Sequence, residues 1–386
     1  MAKSLKSWWR AEAALAGVAG TAALFLIFGN RWLATDGGNG WLGFCFAWLF
    51  VMILWGAVTV VRHADALATR LGEPVGTLVL TLAAISIEVF TVVSVMRAGN
   101  ENSLLARDTM YAVLMIVLNG LVGVALLLGG LRHHEQEVNV SGGRSYLSVL
   151  LTLAVLGLIL PNYTQRTPGP MISNFQAVML AAGALLLYGI FLWIQTVRHR
   201  EYFSSAGRAD GSSASPPAGK SESEPTHGHA HAPYRTWVHG ALLVGSLLPV
   251  FLLCKQLAVL LNFGIAKAHA PDALGGFLVA LLVLTPEGLG AVRAAWNNSM
   301  QRAVNILLGT ALSTIGLTIP AVLCVSLIAG QPVLLGLNPR ETVMLVLTLL
   351  VSLLTFSSRR TNILNGAVHL VIFAAYVVLI FDQAPD

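Results

Sequence analysis

Two glutamates interrupt long apolar segments of the sequence and are the first residues whose chemistry needs explaining. Glu88 lies in GTLVLTLAAISIEV (76–89), and Glu287 lies in GGFLVALLVLTPEG (275–288). Glu287 is the only charged residue within the segment 273–292. Because a charged residue at the centre of a spanning helix costs about 2.5–3.5 kcal/mol on insertion scales, a glutamate in such a segment indicates a functional site.

A pair of carboxylates in a dry site has two stable states, since it can hold a cation or it can be protonated. Neither apolar segment contains a Lys or Arg that could neutralise its glutamate. Oxygen ligands suit hard cations such as Ca²⁺, whereas softer metals call for Cys, Met or His. A site that holds either Ca²⁺ or protons, but seldom both, is the site of an exchanger. The pair therefore predicts that Ca²⁺ and protons are transported substrates.

Polar neighbours of the glutamates are candidates for further ligands. Ser86 and Thr285 each stand two positions before a glutamate, so their hydroxyls can ligate a cation or can bond back to their own helix. Pro286 has no backbone N–H, which frees the carbonyl oxygens of Leu282 and Val283. Freed carbonyls can coordinate a cation where they line a cavity.

The composition indicates an all-α polytopic membrane protein. Of the 386 residues, 56% are hydrophobic and only 11% are charged, whereas a soluble domain carries about a quarter charged residues. The net charge of +5 comes from basic residues in short loops between apolar segments, which indicates membrane topology rather than nucleic-acid binding. Motifs such as H-x-x-x-D or H-E-x-x-H are absent from the sequence, which argues against a zinc exporter or a membrane metalloenzyme. We expect no enzymatic activity and no cofactor.

Hydropathy predicts about eleven transmembrane helices, each needing roughly 20 apolar residues. The first one resembles a signal peptide, but we interpret it as a retained helix because no clear small-x-small cleavage site follows it. The predicted spans are 11–28, 41–61, 75–96, 110–130, 146–161, 176–197, 237–261, 274–297, 303–328, 333–356 and 363–381.

A segment with few large apolar residues divides the last ten spans into two groups of five. It is rich in Ser, Gly, Pro and His and is predicted to be a flexible cytoplasmic linker. Its histidines can bind a metal such as Zn²⁺ weakly, although a solvated, pH-sensitive linker is the default interpretation; they are His227, His229 and His231. The predicted organisation is an extra N-terminal helix (1–36), a first five-helix repeat (37–200), the linker (201–236) and a second five-helix repeat (237–386).

The two halves share the spacing around their glutamates. Gly76 precedes Glu88 by twelve residues, as Gly275 precedes Glu287. Five is an odd number, so matched spans cross the membrane in opposite directions. This is the inverted repeat of many secondary transporters, whose substrate sites lie near the midplane between the repeats. The repeat would therefore bring the two carboxylates together.

Several stretches of the chain resemble the cation/Ca²⁺ exchanger superfamily, in its bacterial Ca²⁺/H⁺ antiporter (ChaA-type) branch. GEPVGTLVLTLAAISIEV and LTPEGLGAVRAAWNNSMQRAVNILLGT look like the two repeats of that superfamily. Further similarity lies in VVRHADALATRLGEP (60–74), ARDTMYAVLMIVLNGLVG (106–123) and RTNILNGAVHLVIFAAY (360–376).

The resemblance implies ten core helices in two inverted halves, with Glu88 and Glu287 as the cation and proton carriers. It also implies polar ligands from the helix after each glutamate. Asn119 lies twelve residues after Arg107, and Thr314 lies twelve after Arg302. By position these ligands would be Asn119 in the first half and Ser313 or Thr314 in the second, with Thr314 the closer match.

The function implied is a Ca²⁺/H⁺ antiporter that exports cytoplasmic Ca²⁺ by alternating access. The alternative is a Na⁺(K⁺)/H⁺ antiporter of the same fold. Other exchangers of the superfamily often carry GN beside the glutamate, and its absence here fits the proton-coupled branch. With the N-terminus inside, 16 of the 23 Lys and Arg residues lie on the inner side, which favours a cytoplasmic N-terminus and an outer C-terminus in a bacterial inner membrane.

Three further residues have two interpretations each. Glu73 directly precedes Pro74 and either interacts with a helix dipole or guides cations in from the cytoplasm. Asn298 either caps the eighth predicted span or lines the ion exit. His369 lies within the last span and either relays protons or is a neutral histidine bonded to a neighbouring helix.

Overall fold

The structure is a computed structural model of the chain. It describes residues 2–33, 38–72, 79, 82–83, 85–90, 104–165, 171–203, 236–268, 270–271, 273–329 and 334–382.

Nearly all of the described residues are helical, because a backbone in lipid must satisfy its own hydrogen-bonding groups. The α-helices are α1 (Ala2–Trp32), α2 (Asn39–Leu71), α3 (Leu105–Met115), α4 (Val122–His133), α5 (Val140–Ala154), α6 (Asn174–Trp193), α7 (Thr236–Ala268), α8 (Ala273–Trp296), α9 (Met300–Ser313), α10 (Ile319–Ala329), α11 (Pro339–Thr355) and α12 (Ile363–Phe381). Residues 85–90 form a further helical segment, which we call the Glu88 segment.

Four π-helical segments join or extend these helices. The π-helical segments are Ile116–Leu121 between α3 and α4, Val155–Ile159 after α5, Ile194–Arg198 after α6 and Thr314–Thr318 between α9 and α10. Short 3₁₀ helices follow at Leu160–Tyr163 and Arg200–Phe203. The π-helical segments keep the chain helical, so α3 with α4 and α9 with α10 each form one spanning unit.

The helical content and the spans agree with the fold class predicted from the sequence. Nine helices in the described residues are long and apolar enough to cross a membrane, and they correspond to all the predicted spans except the third and the tenth. The third is described only at 79, 82–83 and 85–90. The prediction for the tenth is wrong at its start, because the helix begins at Pro339 and not at 333. Asn338 and Glu341 form a capping box there, which fixes the helix start.

A two-stranded ribbon that the sequence did not indicate links two loops. β1 (Gln136–Glu137) pairs in antiparallel orientation with β2 (Arg360–Thr361). An ion pair of 3.1 Å between Arg360 and Glu135 accompanies it at the surface. The ribbon ties the end of α4 to the start of α12.

The extra helix α1 is attached to α2 and α7 by apolar packing and by a buried polar cluster. Oε2 of Glu12 lies 3.0 Å from Arg62 Nη2 and 3.2 Å from His63 Nε2. Nδ1 of His63 in turn lies 3.2 Å from Nδ1 of His239. Glu12, His63 and His239 are all buried, so the cluster joins three helices in the protein interior.

The start of α8 lies directly against the start of α3. A Cβ atom placed on Gly276 would lie 2.8 Å from the backbone of Asp108 and Thr109. Small residues allow helix backbones in membranes to approach this closely. The helix that carries Glu287 is thereby fixed against the helix that leads to Asn119.

Candidate functional site

Glu88 is buried and is held by a residue from the opposite half of the chain. Its side chain is 4% exposed, and its Oε2 accepts a 2.9 Å hydrogen bond from Oγ1 of Thr314. Its other oxygen, Oε1, is buried without a hydrogen-bond partner among the described residues. The carboxylate therefore has one oxygen that is oriented by the protein and one that is available to a cation or a proton.

Glu287 follows Pro286 in α8, which continues as a helix through the proline. Its Oε2 is also buried with no hydrogen-bond partner in the described part of the chain. Glu287 lies close enough to Glu88 to act on it as a like charge. The structure thus brings together the two glutamates that the sequence singled out, each with an uncommitted oxygen.

The two helices that follow the glutamates both lose α-helical geometry at the predicted ligand positions. Asn119 lies within the π-helical segment Ile116–Leu121, and Thr314 opens the segment Thr314–Thr318. Single-turn π-helical segments are rare and occur frequently at functional sites. Asn119 and Thr314 are both fully buried. The structure therefore places both residues in the protein interior.

Thr318 is a site residue that the sequence reasoning missed. Its hydroxyl interacts with Glu88, but it forms no hydrogen bond of normal geometry within the described residues. Its spacing of four residues from Thr314 puts both hydroxyls on one helix face, and this spacing is the signal that could have identified it.

Asn119 does not hydrogen-bond to Glu287. Its Nδ2 donates to Oγ1 of Thr348 at 2.9 Å, and its Oδ1 lies 3.3 Å from Nδ1 of His369. The other imidazole nitrogen of His369, Nε2, lies 3.1 Å from Oγ1 of Thr355. Asn119 and His369 therefore belong to one buried network that reaches α11 and α12, and Thr348 and Thr355 are members that the sequence did not suggest.

The remaining predicted hydroxyl ligands bond to their own helices. Ser86 donates to the carbonyl of Leu82 at 2.6 Å. Thr285 donates to the carbonyl of Leu281 at 2.7 Å, and Ser313 donates to that of Thr310 at 3.0 Å. These bonds satisfy the hydroxyl protons, and the oxygens keep lone pairs that can accept a cation.

Asn298 lies just beyond the end of α8, away from the spanning part of the helix. Its φ of 58° is in the left-handed region, which asparagine tolerates better than most residues. Its Oδ1 accepts a 3.0 Å hydrogen bond from Nε2 of Gln136. This is the geometry of a residue that ends a helix. Glu73, His227, His229 and His231 lie outside the described residues.

The sodium/calcium exchanger protein family matches residues 41–197 and 237–381, which is most of the chain. The chain belongs to that family. The sodium-potassium/proton antiporter ChaA of Escherichia coli is 40% identical to this exchanger over 85% of the chain and 86% of the relative. The Ca²⁺/H⁺ antiporter of Synechocystis sp. is 26% identical over 67% of the chain and 70% of the relative.

The fold of this exchanger is shared with solved antiporter structures. The structure of YfkE, a Ca²⁺/H⁺ antiporter, superposes with a TM-score of 0.70 at 18% identity and covers 96% of this chain and 100% of YfkE. The relatives are transporters, and the chain is an integral membrane protein. These comparisons agree with the family resemblance and the fold class expected from the sequence.

Glu88 and Glu287 could offer two carboxylates to a cation, and neutral oxygens would then complete its shell. In the part of the chain that the structure describes, no three His, Cys, Asp or Glu side chains are grouped so as to hold a metal ion. Hydroxyl, amide and carbonyl oxygens are suitable additional ligands for Ca²⁺, which takes six to eight oxygens. A cation between Glu88 and Glu287 would be bound by oxygen alone.

Proposed function

We propose that the protein is a secondary active Ca²⁺/H⁺ antiporter in which Glu88 and Glu287 carry either Ca²⁺ or protons. One observation carries the proposal. Two intramembrane glutamates, one from each half of the chain, lie near each other, and each has a buried oxygen without a hydrogen-bond partner among the described residues. An arrangement of this kind is costly unless a cation or protons neutralise it.

The transport cycle follows from the two stable states of the glutamate pair, which are the Ca²⁺-bound state and the protonated state. In the inward-open state the carboxylates are ionised and take up cytoplasmic Ca²⁺. The two halves then rock, which exposes the site to the other side of the membrane. There Ca²⁺ leaves and protons enter. Protonation has to precede the return step, because two bare carboxylates in a dry site would be unfavourable.

The direction of export rests on the predicted topology, with a cytoplasmic N-terminus, an outer C-terminus and a bacterial inner membrane as the location. The hydroxyl of Thr314 orients Glu88 from the opposite half of the chain. Asn119 would supply an amide oxygen near Glu287. Ser86, Thr285 and Ser313 remain candidates for hydroxyl ligands through their lone pairs.

A Na⁺(K⁺)/H⁺ antiporter is the second candidate, favoured by the sodium-potassium/proton antiporter that is 40% identical to the chain. One monovalent cation between two carboxylates leaves a net negative charge, which a single retained proton would neutralise. Ca²⁺ neutralises the pair directly, and for that reason we place it first.

The test is Ca²⁺ uptake into everted membrane vesicles energised by an imposed pH gradient. Wild type is compared with Glu88→Gln and Glu287→Gln. Glu137→Gln is the matched control, because Glu137 is an exposed carboxylate in the β-ribbon. We expect gradient-dependent Ca²⁺ uptake by wild type and by Glu137→Gln. We expect no uptake by Glu88→Gln or Glu287→Gln. Unimpaired exchange by either Glu88→Gln or Glu287→Gln would contradict the proposal. Dissipation of the gradient by Na⁺ or K⁺ without Ca²⁺ uptake would favour the second candidate.

A further inference from the structure

A continuous buried hydrogen-bond network runs from the π-helical segment to α11 and α12. It contains Thr348, Asn119, His369 and Thr355, which are 0%, 0%, 0% and 3% exposed. Buried polar groups in a membrane protein are costly unless they are satisfied, so a closed network of this kind fixes the orientation of its members. The network lies outside the pair of glutamates and needs its own explanation.

The donors and acceptors of the network follow one another in a defined order. The amide nitrogen of Asn119 donates to Thr348 at 2.9 Å, and the Thr348 hydroxyl lies 3.5 Å from the sulfur of Met115. The amide oxygen of Asn119 faces Nδ1 of His369 at 3.3 Å, and this pair forms a hydrogen bond in the tautomer that carries its proton on Nδ1. Nε2 of His369 is then the acceptor for the hydroxyl of Thr355.

The π-helical segment that contains Asn119 packs beside the helix turn that carries Glu287. A Cβ atom on Gly288 would lie 2.8 Å from Cδ2 of Leu121. Leu121 ends the π-helical segment that contains Asn119, so this segment and α8 pack against each other next to the glutamate.

We propose that His369 is a positioning residue that keeps the amide oxygen of Asn119 as the atom offered to the transported cation, an inference that rests on the proposed antiport function. An amide oxygen has two lone pairs, so it can accept the His369 proton with one and ligate a cation with the other. A flipped amide would present its NH₂ group, which repels a cation. In metal sites, neighbouring residues orient the metal-binding side chains through hydrogen bonds. His369 would orient the Asn119 amide in the same way.

The same contacts argue against the proton-relay interpretation of His369. Both imidazole nitrogens are engaged, one with Asn119 and the other with Thr355. A second proton on Nε2 would abolish the acceptor that the Thr355 hydroxyl uses. Among the described residues, the hydrogen-bond partners of the His369 ring are the Asn119 amide, the Thr355 hydroxyl and the backbone of Leu118, and they do not include a carboxylate.

The test compares two variants of similar shape, His369→Asn and His369→Leu, in the vesicle assay with varied Ca²⁺ concentration. Asparagine places an NH₂ group near the position of Nδ1 and keeps the donor to Asn119, whereas leucine has no donor. We expect His369→Asn to keep the KM for Ca²⁺ within about twofold of wild type. We expect His369→Leu to raise that KM by about threefold to tenfold while the maximal rate falls less. If wild type transports only Na⁺ or K⁺, the same comparison is made with that ion.

Each outcome has one meaning. An unchanged KM in folded His369→Leu would overturn the inference. Loss of exchange in both variants would also overturn it, in favour of a titrating role that neither side chain can fill. If His369→Leu does not yield a monodisperse protein, Thr355→Val replaces it, because this variant removes only the hydroxyl that contacts Nε2 of His369. An unchanged KM for Ca²⁺ in Thr355→Val would overturn the inference. Absence of any exchange by wild type would instead refute the proposed function.

Discussion

Oγ1 of Thr314 donates a 2.9 Å hydrogen bond to Oε2 of Glu88, although the two residues are 226 positions apart in the chain. The contact joins the helix that follows one glutamate to the other glutamate. It makes each half of the chain incomplete without its counterpart, because the donor and the acceptor come from different halves. A change in the relative position of the halves would have to change this contact.

The first prediction concerns that hydrogen bond. A hydrogen bond to a charged group is worth about 1.5–3 kcal/mol, so Thr314→Val should raise the KM for Ca²⁺ by about tenfold or more. Thr152→Val is the control, because the exposed hydroxyl of Thr152 donates only to the carbonyl of Ser148 in its own helix. Initial uptake rates over a range of Ca²⁺ concentrations provide the measurement. Equal KM values for both variants would show that Thr314 does not contribute to the site.

The second prediction concerns the close approach of α8 and α3 at Gly276. An added methyl group would meet the backbone of Asp108 and Thr109 at 2.8 Å, so Gly276→Ala should destabilise the protein by about 1–3 kcal/mol through overpacking. Gly183→Ala is the control, since nothing lies within 4 Å of its added methyl group. That variant should gain about 0.5–1 kcal/mol from helix propensity. Thermal unfolding in detergent should therefore shift the two melting temperatures in opposite directions, and a common direction would contradict the packing argument.

The third prediction concerns the attachment of the extra helix. Glu12→Leu removes the acceptor that Arg62 and His63 share, and buried groups left without a partner cost about 1–3 kcal/mol. Arg62 is half exposed and can turn to water, which limits the loss to the lower part of that range. Glu137→Gln breaks only surface ion pairs and should change the stability by less than about 1 kcal/mol. Equal melting temperatures for the two variants would show that the cluster does not hold α1.

The fourth prediction concerns the histidine-rich linker. Replacing residues 204–235 with a Gly/Ser segment of equal length should leave proton-coupled exchange intact, because the composition of this segment cannot build a core. A transporter that needs its linker histidines for zinc would lose activity. Uptake of Ca²⁺ and Zn²⁺ by the same vesicles separates the two cases, and loss of Ca²⁺ uptake would assign the linker a part in transport.

The sequence predicted the helices well and singled out the two glutamates, because both depend on local patterns. Continuous apolar runs define spans in lipid, and a carboxylate inside such a run stands out by its cost. Thr314 was singled out less directly, by equal spacing in two repeats, and its hydrogen bond to Glu88 was not predicted. The start of α11 was placed too early because hydropathy does not register a capping box.

The hydrogen-bond network around Asn119 could not be predicted from the sequence, for a physical reason. Its partners Thr348 and His369 lie 229 and 250 positions away, and nothing in their local sequence distinguishes them from other polar residues in apolar helices. Asn362 and Asn365 lie closer to His369 in the sequence, but they cap the start of α12. Spacing shows which residues share a helix face, whereas the choice of partner depends on how whole helices pack.

The π-helical segment that contains Asn119 sets how far α3 is rotated relative to α4 about their common axis. A π-helical hydrogen bond spans five residues where an α-helical one spans four. Deleting a single residue from Ile116–Leu121 would rotate α3 relative to α4 by about 100°. The side of the helix that meets α8 would then lose its alignment with the side that reaches α11 and α12. The length of an otherwise apolar segment is therefore as important to the proposed site as the identity of its polar residue.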